Sequence, residues 1–437
     1  MSDVSKLLGE LSGKFVLGVN PYVRDFAWFD LWSKPVGLLS LLAFLRQRGN
    51  RIALLDLLWE GRSKPLSFGR WKTTQTTLEK PPPYQNIPRR YRRFGLPVAD
   101  FMARLKGMER PDLVLVTSAM TYWYEGVFET IRVLKTVWPD VPVYLGGTYV
   151  RLCPEHAWRS GADIVQTAPL SLPFTSPAFD LYPGLQYAVL ITSWGCPMRC
   201  SYCATRLLWG SFKMRPEAEL EADMEALAAI PSLTDLVFYD DALLLNPEER
   251  FYPLLDQLQK HLPHLRLHTP NGLHVASLDE RCCNALFQAG FRTIRLSLEG
   301  LDDYTQANSS GKAARRDYER AVRALFKAGY APEQIETYIL VGLPGQDLKD
   351  VKRSIDYVLA LGGRPKLSEY SPIPGTSLYE TALKITPAIE KEPLLHNNTI
   401  YAPYVAGAPT PETLQSLKER AKGKTSEETL TKSDFSK

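Results

Sequence analysis

The feature that most constrains this chain is an alternation along most of its length: short, near-continuous apolar runs, each followed by a stretch with helical spacing. KFVLGVN (14–20) reads as a strand, GLLSLLAFLRQR carries helical periodicity, Gly49 ends it, and RIALLDLL is the next strand. After an insertion come a helical pattern from Val98, the strand DLVLVTSA, an amphipathic segment from Glu125 to Val137, the strand VPVYLGG, a helical turn near His156 and the short strand ADIVQT. Strands apolar on both faces and interleaved with helices belong in a parallel sheet covered on both sides. The fold class is α/β, and residues 1–167 are expected to form a doubly wound domain with an insertion at 60–97.

A Pro-rich segment, 168–184, reads as a linker to a second βα series. Its strands are AVLITS, TDLVFYD, RLHTPN, TIRLSLE, ETYILVG and KLSEYS. In the helix after RLHTPN, Ser277 and Glu280 have capping-box spacing, Leu278, Cys282, Leu286 and Ala289 line one face, and Gly290 ends it. Six such units make a partial barrel or an open sheet. The strand TIRLSLE favours the barrel, because it alternates Ile294, Leu296 and Leu298 with Thr293, Arg295, Ser297 and Glu299. A lumen holding a polar ligand explains a polar face on a parallel strand. Asp240, Asp241, Asn271, Glu299 and the turn 342–345 all stand where strands end, the end at which α/β barrels bind ligands. The expectation is a partial (β/α)6 barrel over 185–380 and a small C-terminal extension over 381–437, with a helix at 410–422 and a disordered tail.

Composition excludes some functions. A net charge of +4 with 45% hydrophobic and 23% charged residues gives no field that demands nucleic acid or an anionic membrane. The longest apolar run, VGLLSLLAFL, is too short to span a bilayer, and the first residues lack signal-peptide architecture, so a cytoplasmic protein is expected. Within the insertion, RRYRR is either a solvated or salt-bridged loop or a site for a phosphate-bearing ligand.

Half of the six cysteines, Cys196, Cys200 and Cys203, fall in SWGCPMRCSYCAT, directly after the first strand of the second series. Zinc prefers four ligands in a closed tetrahedron, and Cys153, Cys282 and His156 have no partner motif. Three thiolates can instead hold three irons of a 4Fe-4S cluster and leave the fourth open. Cys153, Cys282 and Cys283 read as core.

The CxxxCxxC spacing, with Tyr202 before its last cysteine, resembles the radical S-adenosylmethionine (SAM) superfamily over roughly Tyr187 to Tyr379. FYDDALLLNP, PNGLHVASLDE, IRLSLEGLDDYTQANSSGK, VGLPGQ and YSPIPGTSLYE are similar to successive strand ends of its subgroup with an N-terminal cobalamin-binding domain. The resemblance implies an enzyme in which Cys196, Cys200 and Cys203 hold the cluster, the open iron chelates SAM, and one-electron cleavage yields a 5'-deoxyadenosyl radical that abstracts a substrate hydrogen. It also implies a reducing partner such as flavodoxin or ferredoxin. Tyr202 and the turn Gly342, Leu343, Pro344 would border the adenine, Asp240 or Asp241 would meet the SAM ammonium, and Ser297 and Glu299 would reach the ribose or methionine part. Plainer readings stand beside these: a helix-capping Asp pair, a tight turn at VGLPGQ, and a salt bridge between Glu299 and Arg295.

The first domain resembles the Rossmann-like cobalamin-binding domain of that subgroup, through NPYVRDFAWFDLWSKPVGLLSLLAFLRQRGN, TSAMTYWYEG and LGGTYVRLCPEHAWRSGADIV. Its first 155 residues contain no histidine, which excludes a His-ligated cobalt. Ser118, Gly146 and Gly147 stand where the family approaches the nucleotide tail, although glycines there also simply turn the chain. Trp28, Trp32, Tyr122, Trp123 and Tyr124 would pack over a corrin or an apolar substrate. Two outcomes remain open: cobalamin-dependent methylation, or a cobalamin-independent rearrangement, cyclisation or oxidation. A non-catalytic metal module is the outside alternative, and the substrate is not legible.

Overall fold

The computed structural model describes residues 8–423. These divide into two compact units, one formed by residues up to 189 with 216–235 and 389–396, the other by 190–215, 236–388 and the chain from 397. The expected disordered tail lies outside the described residues.

The first unit holds β1 (Phe15–Asn20), β2 (Arg51–Asp56), β3 (Leu113–Val116), β4 (Val143–Leu145) and β5 (Ile164–Val165) in the order β5-β4-β3-β1-β2. All four registers are parallel. The direction of winding reverses between β1 and β3, so the sheet is doubly wound and its ligand crevice lies beyond the C-terminal ends of those two strands. Val16, Leu17 and Val19 are buried, and the helix α1 (Val36–Gln47) lays Leu38, Leu39, Leu42 and Leu45 in the core. Gly18 permits that packing, because a Cβ there would stand 2.6 Å from Leu42 Cδ1.

The insertion is more ordered than a loop. Val23–Asp25, Arg92–Phe94 and Gln75–Thr77 form a three-stranded antiparallel sheet. In RRYRR, Tyr91 is buried and donates to Glu125 at 2.9 Å, and Arg93 pairs with Glu129 at 2.7 Å. The salt-bridged reading therefore holds for this motif. The segment 168–184 is likewise packed: Tyr182 is buried and donates to Asp56 at 2.7 Å, and Asp180 pairs with Arg46 at 2.6 Å.

A second sheet holds β6 (Tyr187–Leu190), β7 (Asp235–Phe238), β8 (Arg266–His268), β9 (Leu273–His274), β10 (Phe291–Glu299), β11 (Ile335–Val341) and β12 (Arg364–Glu369), of which all but Tyr187–Val189 and Asp235 belong to the second unit. Apart from β9, which pairs beside β10, successive strands are neighbours from β6 to β12. That is the succession of a partial β/α barrel. The registers that join β8, β9, β10, β11 and β12 are parallel. The short strand β9 has no counterpart in the hydrophobic pattern, since two residues carry no periodicity.

Both faces of β10 are buried, and its polar face forms a network: Arg295 Nε lies 3.0 Å from Glu336, and Arg295 Nη1 donates to the Tyr338 hydroxyl at 2.7 Å. The expected capping box is corrected. Asp279, whose carboxylate accepts from the Cys282 amide at 2.7 Å, caps the helix Glu280–Gln288, and Ser277 belongs to the preceding 3-10 turn. The C-terminal helix Pro411–Ala421 is held by Arg420 to Asp356 at 2.8 Å.

Candidate active site

The cysteine loop leaves the end of β6 and is fixed before its first cysteine. Both Asp240 oxygens accept from the Thr192 amide at 3.1 Å, and one also accepts from the Thr192 and Ser193 hydroxyls at 2.6 and 2.7 Å. Arg250 Nη2 reaches the same oxygen at 3.0 Å, and its guanidinium donates to the Ala242 carbonyl at 2.9 Å. The carboxylate is fully buried, and most of these bonds converge on one of its oxygens. Asp240 therefore braces the loop. The other side of the loop is held by the Arg199 amide to Ser310 Oγ and the Ser201 amide to the Asn308 carbonyl, each at 2.8 Å. Gly195, with φ +79°, allows Ser211 to close against it, since a Cβ would stand 2.9 Å from the Ser211 carbonyl oxygen.

Burial pushes the Cys196 thiol up to about 11, and burial also raises Cys203, whose Sγ donates to Thr205 Oγ1 at 3.2 Å. A site that disfavours bare thiolates needs a metal's positive charge to keep them ionised. Among the described residues no three His, Cys, Asp or Glu side chains converge around one ion. A single zinc would draw its thiolates to within ~4 Å of each other, whereas a cluster takes one thiolate per iron. The donor set fits a cluster better than a lone ion. Asp241 bonds Thr205, and burial lifts its carboxyl to about 6.

Across from the loop, Glu299 ends β10 in the left-handed region at φ +66°, where the register against β11 shifts. A non-glycine residue held there is strained, and such strain concentrates at functional sites. Its carboxylate pairs with Lys312 at 2.8 Å and not with Arg295, whose partner is Glu336. Burial alone would lower the Lys312 pKa, but Glu299, with Cys200 and Cys203, raises it. Burial and the Glu299 carboxylate push the Tyr202 phenol far up. The structure thus gathers Tyr202, Glu299 and the cysteine loop in one place and adds Lys312.

Sequence reasoning also passed over His274. It faces Ser297 in the register of β9 with β10 and lines a cleft with Asp240, Asn271 and Leu243. Burial, then the Lys312 charge, brings its pKa down to about 4, so it is neutral at pH 7. Ser297 is pressed under Gly272, where a Cβ would stand 2.2 Å from its Oγ. The turn at Gly342 is closed by Gln346, whose Oε1 accepts from the Gly342 and Leu343 amides at 2.9 and 3.4 Å, and the Pro344 carbonyl accepts from Tyr304.

In the first unit Ser118, Gly146 and Gly147 come together. Ser118 Oγ donates to the Gly146 carbonyl at 2.7 Å, and Gly147, at φ +105°, leaves room for Ser118, whose carbonyl oxygen would stand 2.2 Å from an added Cβ. Gly147 is glycine for that contact. Gly146 is different, because a Cβ there would meet only Gln166 Cβ, at 3.9 Å. Trp32, Tyr122 and Tyr124 are buried in the core and cannot cover a corrin face. Among the exposed apolar side chains of this unit are Phe29, 74% exposed on the loop after β1, and Met120, 48% exposed on the loop after β3. An open glycine and two uncovered apolar groups beside the switch point fit a large, partly apolar cofactor such as cobalamin.

Two known protein families match parts of the chain. The radical SAM superfamily matches residues 190–358, and the B12 binding domain matches residues 90–169. An uncharacterized methyltransferase of Pyrococcus horikoshii is 23% identical over 329 residues, 62% of this chain and 70% of its own length. Among solved structures, the radical SAM methyltransferase TsrM from Kitasatospora setae superposes with a TM-score of 0.60 at 18% identity, covering 86% of this chain and 77% of that one. The cobalamin-dependent SAM radical enzyme OxsB superposes with a TM-score of 0.52 at 11% identity, covering 95% of this chain and 62% of that one. The chain thus carries a radical SAM superfamily match that follows a B12 binding domain match.

Proposed function

We propose that this protein is a cobalamin-dependent radical SAM methyltransferase. The observation that carries the reading is the joint presence of a braced three-cysteine loop and an uncovered cradle at the switch point of the doubly wound sheet. TsrM and the Pyrococcus horikoshii relative, both called methyltransferases, support it. When bound, the cluster and SAM supply one-electron cleavage chemistry, and cobalamin supplies a methyl carrier.

The chain's residues then divide the work. Cys196, Cys200 and Cys203 hold the cluster, with Asp240 and Arg250 fixing the loop that presents them. Asp241 takes the SAM ammonium. Lys312 neutralises Glu299, and the pair stands at the methionine end, with Ser297 packed behind the strand end. Tyr202 and the closed turn Gly342, Leu343, Pro344 border the adenine. Gly146, kept open, and Ser118, which fixes it, receive the cobalamin tail, while Phe29 and Met120 meet its apolar surface. Gly147 serves the packing beneath them.

The electron comes from a reducing partner of the flavodoxin or ferredoxin class. No helix among the described residues is long and apolar enough to cross a membrane. We place the protein in the cytoplasm, where its six free cysteines stay reduced.

The reading is tested by incubating the loaded protein with SAM deuterated on its methyl group, a reductant and a cell extract. Transfer of the deuterated methyl group to an extract component, with S-adenosylhomocysteine, is expected. 5'-Deoxyadenosine without any methylated product would support a cobalamin-independent radical reaction instead.

A further inference from the structure

The cysteine loop carries an outward surface that its cofactors do not explain. The helix Thr205–Trp209 begins two residues after Cys203, and the hairpin Ser193–Trp194 with Lys213–Met214 brackets the loop. Of this segment's apolar side chains, Trp209 is 44% exposed. Trp194 stacks on Trp209 with centroids 4.6 Å apart and planes at 28°. Isolated exposed apolar groups are ordinary, but a partly exposed pair of stacked tryptophans has the composition of an interface centre.

The rim of the patch is cationic. Arg199, Arg206 and Lys213 are exposed and make no ion pair among the described residues. From Ser193 to Met214 the sequence contains no acidic residue. The helix starts two residues after Cys203, so the patch adjoins the cluster ligands. Electron transfer through protein falls steeply with distance, and a donor seated here would face the cluster across a short path.

We infer that this patch is the docking surface for a small acidic one-electron carrier protein. The inference rests on the radical SAM reading, since it is the cluster that needs the electron. An apolar centre with a charged rim suits a transient redox complex, in which the charges speed encounter and the small apolar contact allows release.

The test uses the cluster-loaded, full-length protein and a bacterial flavodoxin. Arg206→Glu/Lys213→Glu is expected to weaken binding of oxidised flavodoxin roughly 10-fold at low salt and to slow flavodoxin-driven SAM cleavage by a similar factor. Cleavage driven by dithionite, which needs no docking, stays at the wild-type rate. The neutral variant Arg206→Gln/Lys213→Gln falls between, and added salt brings wild type toward it. Equal flavodoxin binding by wild type and the charge-reversed variant would overturn the surface, as would equal losses with both reductants. A wild-type protein that binds flavodoxin but cleaves no SAM with either reductant would instead overturn the radical SAM reading.

Discussion

Lys312 Nζ lies 2.8 Å from Glu299 Oε1, and both side chains are shielded from water. Removing one partner strands the other's charge in a buried site. Lys312→Met is expected to cost about 3–5 kcal/mol of stability, measured by urea unfolding. Glu299→Gln/Lys312→Met, with neither charge, recovers most of it but still binds SAM more weakly than wild type by calorimetry. If the double variant binds SAM as wild type does, the pair is structural only.

The two adjacent aspartates should part company. Asp240→Ala leaves Arg250 and the Thr192 amide without their acceptor, so a loss of about 3 kcal/mol or more is expected, with less iron retained per chain. Asp241→Asn keeps the thermal midpoint and the iron and weakens SAM binding roughly 10-fold, the size of one charge-assisted hydrogen bond. The reverse pattern would exchange their roles.

The adjacent glycines should also differ. Gly147→Ala forces a Cβ into Ser118 from a left-handed backbone and is expected to cost about 2 kcal/mol or more. Gly146→Ala meets open space, so stability changes by only ~0.5 kcal/mol, yet cobalt retained after desalting falls. Undiminished cobalt in Gly146→Ala would remove that residue from the cradle.

Stability should fall on mild acidification. His396 donates from Nε2 to the Ile389 carbonyl at 2.8 Å, so its Nδ1, 3.0 Å from Thr121 Oγ1, accepts, and the ring is neutral. Burial pushes its pKa down to about 4 from 6.5, and His156 shifts in the same direction. The unfolded state therefore binds the extra proton first. Stability is complete above pH 6.5 and declines as pH falls to 4, by roughly 3 kcal/mol from His396 alone. Urea midpoints between pH 7.5 and 4.5 should drop in wild type and drop less in His396→Gln. Parallel curves would show that the histidine does not carry the effect.

What was legible in the sequence is what local pattern encodes. The apolar runs marked the strands, and three closely spaced cysteines marked a loop that the fold braces on both sides. Partnerships across strands were not legible. Nothing in DDALLLNPEER says that Arg250 returns to Asp240, and Lys312 lies in an aperiodic stretch that only the end of β10 brings to Glu299. Arg295 shares a strand face with Glu299 in the sequence, but parallel register delivers it to Glu336. Aromatic side chains misled for a related reason: Trp32, Tyr122 and Tyr124 are core, and the exposed groups at the cradle are Phe29 and Met120.

The central claim is that one chain holds both a cluster and cobalamin, and metal content tests it most directly. Protein purified without oxygen from cells supplied with cobalamin should contain about four irons and about one cobalt per chain by elemental mass spectrometry. Iron without cobalt would contradict the cobalamin-dependent account, and zinc in place of iron would contradict the enzyme reading itself.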